Sequence, residues 1–321
     1  MWVITLAVVA MLLAPSLAAA QSPPKMARVG WVSGNPRQNT PAFLDALREG
    51  LRERGWVEGR NLVIEVRAGE RSQGQAFVEE LVRAKVDVIV TQGPMVFGAK
   101  AAAPPIPVVF GVSGDPIDAG LVTSFARPGG NFTGISMLSL ELVGKRVEFL
   151  KQAVPGIKRL AIVAHVAHPG EQSELRASRE AADRLGLIVV YVPVTSPREI
   201  QAAFETMNRE RPDAIVVFPD ALMMGVAKEI AEFAMARHIP TVSGWAEFVL
   251  DGNLLSYGPN TRAVFRQLAT HVDKVLRGAK PADLPVGLPS TFELAINLKT
   301  AKALGITIPP SLLGRADTIV Q

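Results

Sequence analysis

Cysteine is missing from this chain of 321 residues, and its absence excludes thiol nucleophiles, disulfide scaffolds, Cys-ligated zinc, iron–sulfur clusters and lipid attachment through an N-terminal cysteine. Histidine is scarce, with four residues to draw on for any metal site. An excess of one charge is also lacking: 34 Lys and Arg against 30 Asp and Glu leave a formal charge of +4, without long runs of either sign, so no basic face for nucleic acid is indicated. Aromatic residues are only 6% of the chain, few for a β-sandwich, whereas Val, Ile, Ala and Gly are abundant. Apolar material sufficient for a core is present. Hydrophobic residues make up 48% and charged ones 20%, the reverse of a disordered composition, and the length suits two domains of roughly 100–200 residues each.

A long hydrophobic run occurs only at the start. Residues 1–20 carry no charge, include Pro15, and end Leu17-Ala18-Ala19-Ala20 before Gln21-Ser22-Pro23-Pro24. Ala18 and Ala20 form an A-x-A cleavage site, so the segment reads as a secretory signal peptide with Gln21 as the mature start. The Lys or Arg of an ordinary n-region is absent, and about 20 apolar residues are also enough to span a bilayer, which keeps an uncleaved anchor as the alternative.

From Arg28 onward, short β-branched runs alternate with helical stretches, the pattern of a parallel sheet covered on both faces. Strands are predicted at Arg28–Val32, Leu62–Val66, Val86–Thr91, Pro107–Phe110 and Phe132–Ser136. A helix is predicted over Pro41–Arg54, with Thr40 as N-cap, Phe43, Leu44, Leu47 and Leu51 at helical spacing and Gly55 as terminator. The second half repeats this order. Lys85-Val-Asp87-Val-Ile89-Val90, then Met95, Ala99-Lys100 and Ile106-Pro107, reappears as Arg211-Pro-Asp213-Ala-Ile215-Val216, then Met223, Ala227-Lys228 and Ile239-Pro240. Arg28-Val-Gly-Trp-Val32 likewise pairs with Arg159-Leu-Ala-Ile-Val163. General β/α grammar accounts for any single match; several in one order predict two similar Rossmann-like lobes. The expected division is 27–130 plus 257–280 for the first lobe and 131–256 plus 281–321 for the second.

Open α/β sheets bind ligands beyond the carboxyl ends of their strands, so function is expected in the loops there. On the first lobe these loops carry Ser33, Asn35, Thr91, Gln92, Ser113 and Asp115, a hydroxyl- and amide-rich set suited to donating hydrogen bonds to a carboxylate. On the second they carry His168, Asp220 and Trp245, and Tyr257 follows further on. Asp220 has two readings: an acceptor for a ligand amine, or the N-cap of a helix beginning near Ala221. Trp245 and Tyr257 suit either half-buried packing or a ligand platform, and Trp31, inside a strand, suits the core.

Other motifs fail on their own chemistry. Gly93-Pro-Met-Val-Phe-Gly98-Ala-Lys100 places its lysine one residue late for a phosphate loop and lacks the following Ser or Thr. No G-x-G-x-x-G follows the first strand. His165 and His168 have no neighbouring acid before Glu171, so no metal site and no cofactor is expected. Nothing supplies a nucleophile with a partnered base, and Asn131-Phe-Thr133, although a glycosylation-type triplet, reads as the start of a strand.

Longer segments carry a resemblance. Leu51-Arg-Glu-Arg-Gly-Trp-Val-Glu-Gly59, Asp115-Pro116 with Gly120-Leu-Val122, Arg127-Pro-Gly-Gly-Asn131-Phe-Thr-Gly134, Leu255-Ser-Tyr-Gly-Pro259, Lys274–Pro285 and the closing Phe292–Gly305 with Ile308-Pro-Pro310 resemble the bacterial ABC-transporter substrate-binding protein family that includes tryptophan-binding lipoproteins. The resemblance runs from about Arg28 to Val320. It implies a type I periplasmic-binding-protein architecture with a hinge of three crossings, and a non-enzymatic protein that closes on a small-molecule ligand. It also implies delivery to an ABC permease in the inner membrane, with no nucleic acid and the protein itself a monomer. The chain departs from the lipoprotein members by lacking the lipobox cysteine, which points to a free periplasmic protein. The alternatives are a ligand sensor feeding a membrane signalling protein, or a two-lobed isomerase or racemase, whose twin-cysteine forms the composition excludes. A sugar-responsive repressor is excluded because a signal-like segment stands where a helix-turn-helix belongs.

Overall fold

The computed structural model describes residues 26–34, 40–137, 139–168 and 170–321, with the side chains of residues 40, 41, 139 and 141 left aside. The expected leader at residues 1–20, the mature start at Gln21 and the candidate Asn35 lie outside the described residues.

The first sheet is built from β1 (Ala27–Gly34), β2 (Leu62–Gly69), β3 (Val88–Gln92), β4 (Val108–Val112) and β5 (Phe132–Ser136), in the order β2-β1-β3-β4-β5. Each adjacent pair is parallel, and β3 and β4 are buried along their whole length, as strands covered on both faces must be. Between them run α1 (Thr40–Glu53), α2 (Gly74–Arg83) and α3 (Met95–Ala102), while α4 (Ser139–Ala153) leads into the second lobe. There, β6 (Arg159–His165), α5 (Glu171–Arg184), β7 (Ile188–Val194), α6 (Ile200–Glu210), β8 (Ala214–Val217), α7 (Ala221–Gly225), α8 (Ala227–Ala236), β9 (Thr241–Ser243), α9 (Glu247–Leu250) and β10 (Leu255–Pro259) follow in turn. After α10 (Thr261–Leu276) come β11 (Phe292–Asn297) and β12 (Thr318–Val320), giving a second sheet ordered β12-β11-β10-β9-β8-β6-β7. Only β10–β11 is antiparallel among its pairings.

Strands β7-β6-β8-β9-β10 repeat the order β2-β1-β3-β4-β5, and the repetition reaches single hydrogen bonds. Asp87 accepts from the Arg28 N–H at 2.8 Å, and Asp213 accepts from the Arg159 N–H at the same distance. Lys85 and Arg211, two residues before these aspartates, both have left-handed backbone, at φ 55° and 48°. A side chain bonded to the neighbouring strand and a reversal just before it fix the entry register of β3 and of β8 in the same way.

The sheets shift the expected lobe boundaries. β5 pairs with β4 in the first sheet, so the first lobe runs past Gly130 to Ser136. Thr133 donates to the Leu284 carbonyl at 2.8 Å and the Val286 N–H to the Phe125 carbonyl, which keeps Pro281–Gly287 with the first lobe as well. Tyr257, expected with the first lobe, lies in β10 of the second sheet. Periodicity identifies a strand but not the sheet it joins, and β5 and β10 are the strands from which the chain crosses over. The crossings fall after β5, between β10 and α10, and ahead of β11.

Helix α10 returns to the first lobe. Phe265 stacks on Phe43 of α1, with centroids 4.5 Å apart, and meets the fully buried Trp31 of β1 edge-on at 5.8 Å. Polar clamps flank the stack: Trp56 donates to Asp273 at 2.8 Å and Arg54 to Thr270 at 2.7 Å.

At the second crossing, Glu247 of α9 accepts from the hydroxyl of Thr261, the first residue of α10. Burial pushes the Glu247 carboxyl above the ordinary glutamate range, and the Thr261 hydrogen bond opposes the shift only in part. A raised acid pKa means that the folded state disfavours the carboxylate. Glu247 therefore lowers stability as pH rises through the ordinary glutamate value toward its folded value, and costs nothing below both. Urea denaturation between pH 4 and 7 is expected to show Glu247→Gln gaining stability over wild type as pH rises; parallel curves would mean that Glu247 titrates normally.

Candidate functional site

The carboxyl ends of the two sheets face each other, and the lobes touch there through residues that follow strands. On the first lobe Ser33 and Gly34 end β1, Thr91 and Gln92 end β3, and Ser113 and Gly114 follow β4. Opposite them stand His165 at the end of β6, His168 and Gly170 before α5, Asp220 after β8, and Gly244 and Trp245 after β9. Ser113 Oγ lies 2.5 Å from His168 Nε2, and Ser173 of α5 donates to Asp118 at 2.9 Å, both from one lobe to the other. Phe43 meets Trp245 edge-on at 6.0 Å. The lobes are also apposed backbone to backbone: Gly170 adopts φ +89°, and a Cβ there would stand 2.9 Å from the Gly114 Cα. Only glycine satisfies both the left-handed conformation and that approach.

Seven of the sequence candidates, Ser33, Thr91, Gln92, Ser113, His168, Asp220 and Trp245, are buried at these strand ends. Three of them are orphaned in the same way. Thr91 Oγ1, His168 Nδ1 and Trp245 Nε1 are buried atoms with no hydrogen-bond partner among the described residues. A buried polar atom left unpaired costs about 1–3 kcal/mol, so a group of them on facing walls calls for an external partner.

Asp115, Tyr257 and Asp220 also make contacts within the fold. Asp115 accepts the Ile117 N–H at 2.7 Å and closes a local turn. The Tyr257 ring packs edge-on against Phe149 at 4.9 Å, against the second core. Asp220 is the N-cap of α7, one oxygen accepting the Met223 N–H at 2.7 Å and the other bonded to His165 Nδ1. Both carboxylate oxygens thus make contacts within the second lobe, and Asp220 has the capping role that the sequence also allowed. Asp220→Ala is expected to cost about 0.5–2 kcal/mol through the lost cap, while Asp220→Asn, whose amide oxygen caps equally well, is expected to retain that contribution. Equal losses in urea denaturation would show that the His165 contact, not the cap, sets stability.

Two charged residues of the site were not anticipated. Arg146 of α4 and Glu174 of α5 are both 0% exposed, with Arg146 Nη1 3.9 Å from Glu174 Oε2 and His168 Nε2 3.7 Å from Glu174 Oε1. Arg146 Nε donates to the Tyr257 carbonyl at 2.9 Å. A signal for both exists: Arg146 shares the stripe Val143, Val147 and Leu150, and Glu174 the stripe Leu175, Ser178, Ala181 and Ala182, all buried. Glu171 is buried on the same α5 face and accepts from the Tyr191 hydroxyl, so the spacing marks buried acids on α5 and a buried cation on α4 without saying which acid the cation meets.

Ser113 and His168 have the reach of a nucleophile and its base, yet Glu174 approaches the same imidazole nitrogen that faces the serine. An acid orienting the other nitrogen is what a triad requires, and His168 Nδ1 has no partner. Ser113 and His168 therefore do not form a triad with Glu174. Among the described residues no cluster of three or more His, Asp or Glu side chains is arranged to hold a metal ion.

The comparisons with known proteins agree in kind. The family model described as ABC transporter substrate binding protein matches residues 33–320. A tyrosine-binding protein of Clostridioides difficile is 25% identical over 269 residues, covering 81% of this chain and 77% of its own. Two solved structures cover 92% of the chain with a TM-score of 0.85. One is a conserved domain protein from Vibrio cholerae, 27% identical and covered over its whole length; the other is a Streptococcus pneumoniae ABC domain in complex with L-Trp, 26% identical and covered over 99%.

Proposed function

The chain belongs to the ABC transporter substrate binding protein family, and from that premise we propose that it is the extracytoplasmic solute-binding component of an import system. Its fold is the type I periplasmic-binding-protein architecture, and the family binds substrates rather than converting them. In this reading the two lobes close over a small amino-acid-like or aromatic carboxylate and deliver it to a permease in the inner membrane. In this reading the segment at residues 1–20 is a leader removed before Gln21, and the protein works in the periplasm. The observation that carries the reading is the set of buried polar atoms without partners among the described residues, Thr91 on one side of the crevice and His168, Arg146 and Trp245 on the other. Relatives that bind tyrosine and tryptophan support an amino-acid-like ligand.

Closure over a ligand replaces its water shell with fixed donors, and the closed form presents a surface that a permease can distinguish. Ser33, Thr91, Gln92 and Ser113 line the first wall, and His168 and Trp245 the second. Asp220 acts behind them by holding His165 and α7, so Asp220→Asn is expected to leave affinity unchanged; a tenfold loss would restore it as an ammonium acceptor.

The test is a thermal-shift screen of amino acids, aromatic acids and sugars, followed by uptake in vesicles containing the cognate permease. A true ligand at 100 times its dissociation constant stabilises the fold by about 2.7 kcal/mol. Absence of any shift across the screen would count against solute binding, and binding without protein-dependent uptake against the transport role.

A further inference from the structure

Arg146 holds a charge that the protein neutralises only in part. Its side chain is 0% exposed, yet among the described residues Nη1 and Nη2 have no hydrogen-bond partner, and the one nitrogen that does, Nε, donates to the Tyr257 carbonyl. Glu174 is the carboxylate paired with it, at 3.9 Å, an ion-pair separation longer than a hydrogen bond. Burial pushes the guanidinium below its ordinary value, with Glu174 pulling the other way and not restoring it. Arginine does not release its proton at neutral pH, so the two terminal nitrogens keep four N–H donors that require acceptors.

The surroundings leave this end of Arg146 to an acceptor from outside. Gly244 follows β9 at the crevice wall, and a Cβ on it would stand 2.6 Å from Arg146 Nη2 and 2.8 Å from Cζ. The guanidinium therefore lies against a glycine backbone at the carboxyl end of the second sheet, next in sequence to Trp245. The other crevice atoms without partners, Trp245 Nε1, Thr91 Oγ1 and His168 Nδ1, are an indole N–H, a hydroxyl and an imidazole nitrogen. The indole N–H, like the two terminal Arg146 nitrogens, can only donate, the hydroxyl and the imidazole nitrogen serve as donor or acceptor, and the acid expected to receive an ammonium, Asp220, already caps α7 and bonds to His165. A site rich in donors selects a ligand rich in acceptors.

We propose that Arg146 is the anion-binding element of the crevice, taking the carboxylate of an organic-acid solute on Nη1 and Nη2, so that a free carboxylate is a condition of binding. This rests on the solute-receptor reading and assigns the carboxylate to the second lobe instead of the hydroxyl-rich loops of the first. The planar fork of Arg146 matches a carboxylate in a bidentate pair, which an ammonium group at the same place cannot reproduce.

The experiment is calorimetric titration of the full mature protein with matched probes: L-tryptophan, L-tyrosine and indole-3-acetate, their carboxamides, tryptamine, tyramine and D-glucose. Wild type is expected to bind at least one carboxylate and to bind its amide about 10- to 100-fold more weakly, the range of one charge-assisted contact. Arg146→Lys is expected to weaken the acid by a similar factor. In Arg146→Met the acid and amide should converge in affinity. Acid and amide bound within threefold by wild type, or an unchanged affinity in a folded Arg146→Lys, would overturn the proposal. So would binding of glucose or an amine alone, which leaves the receptor reading standing, whereas no binding by any probe overturns both. If Arg146→Met fails to fold, the wild-type probe series still decides.

Discussion

Replacing Glu174 by leucine is expected to destabilise the protein by about 3–5 kcal/mol, because it leaves the guanidinium of Arg146 as a buried charge without its carboxylate. Both side chains are 0% exposed, so neither water nor salt screens the loss. Removing the pair together is expected to be milder. An Arg146→Met, Glu174→Leu double variant eliminates both desolvation costs and should be more stable than Glu174→Leu alone. Urea denaturation of the four proteins in the cycle measures this directly. Single-variant stabilities close to wild type would show that Glu174 does not compensate Arg146 in the folded state. A double variant that regains stability but loses its ligand would show that the pair is kept for binding at a cost to the fold.

Phe265→Ala is expected to cost about 3–5 kcal/mol as well, by a different route. Phe265 is fully buried between Phe43 and Trp31, and it is the residue by which α10 grips the first lobe after the chain has already entered the second. A cavity there cannot collapse, since one wall is the β1 strand and another is α1. Because α10 lies between two of the crossings, the loss should also loosen the first lobe against the hinge. The measurement is the unfolding midpoint together with hydrogen exchange of α10 amides. The expected result is faster exchange of α10 relative to β6 and β8; uniform change across both lobes would mean that α10 is not a separate docking unit.

Much of the lobe architecture follows from the order of residues alone. Short β-branched runs place β1, β2 and β4 to within a few residues, and the matched segments around Asp87 and Asp213 announce two lobes whose strand orders and strand-entry hydrogen bonds coincide. These features are local: a turn, a cap or a strand depends on residues a few positions apart, and the sequence records them directly. The strand-end loops are local too, which is why the positions of Ser33, Thr91, Gln92, Ser113, His168, Asp220 and Trp245 at strand ends are legible without the fold. Other properties belong to contacts between distant segments, and there only the tertiary structure decided. β5 and Pro281–Gly287 joined the first lobe and Tyr257 the second because hydrogen bonds with partners far along the chain settled it. Asp220 became a cap bonded to His165, and Arg146 met Glu174 from a different helix. Sequence spacing shows that a charge sits on an apolar stripe. Which opposite charge it faces, and how much of it is left unpaired, depends on how two helices pack, and that is a property of the folded chain.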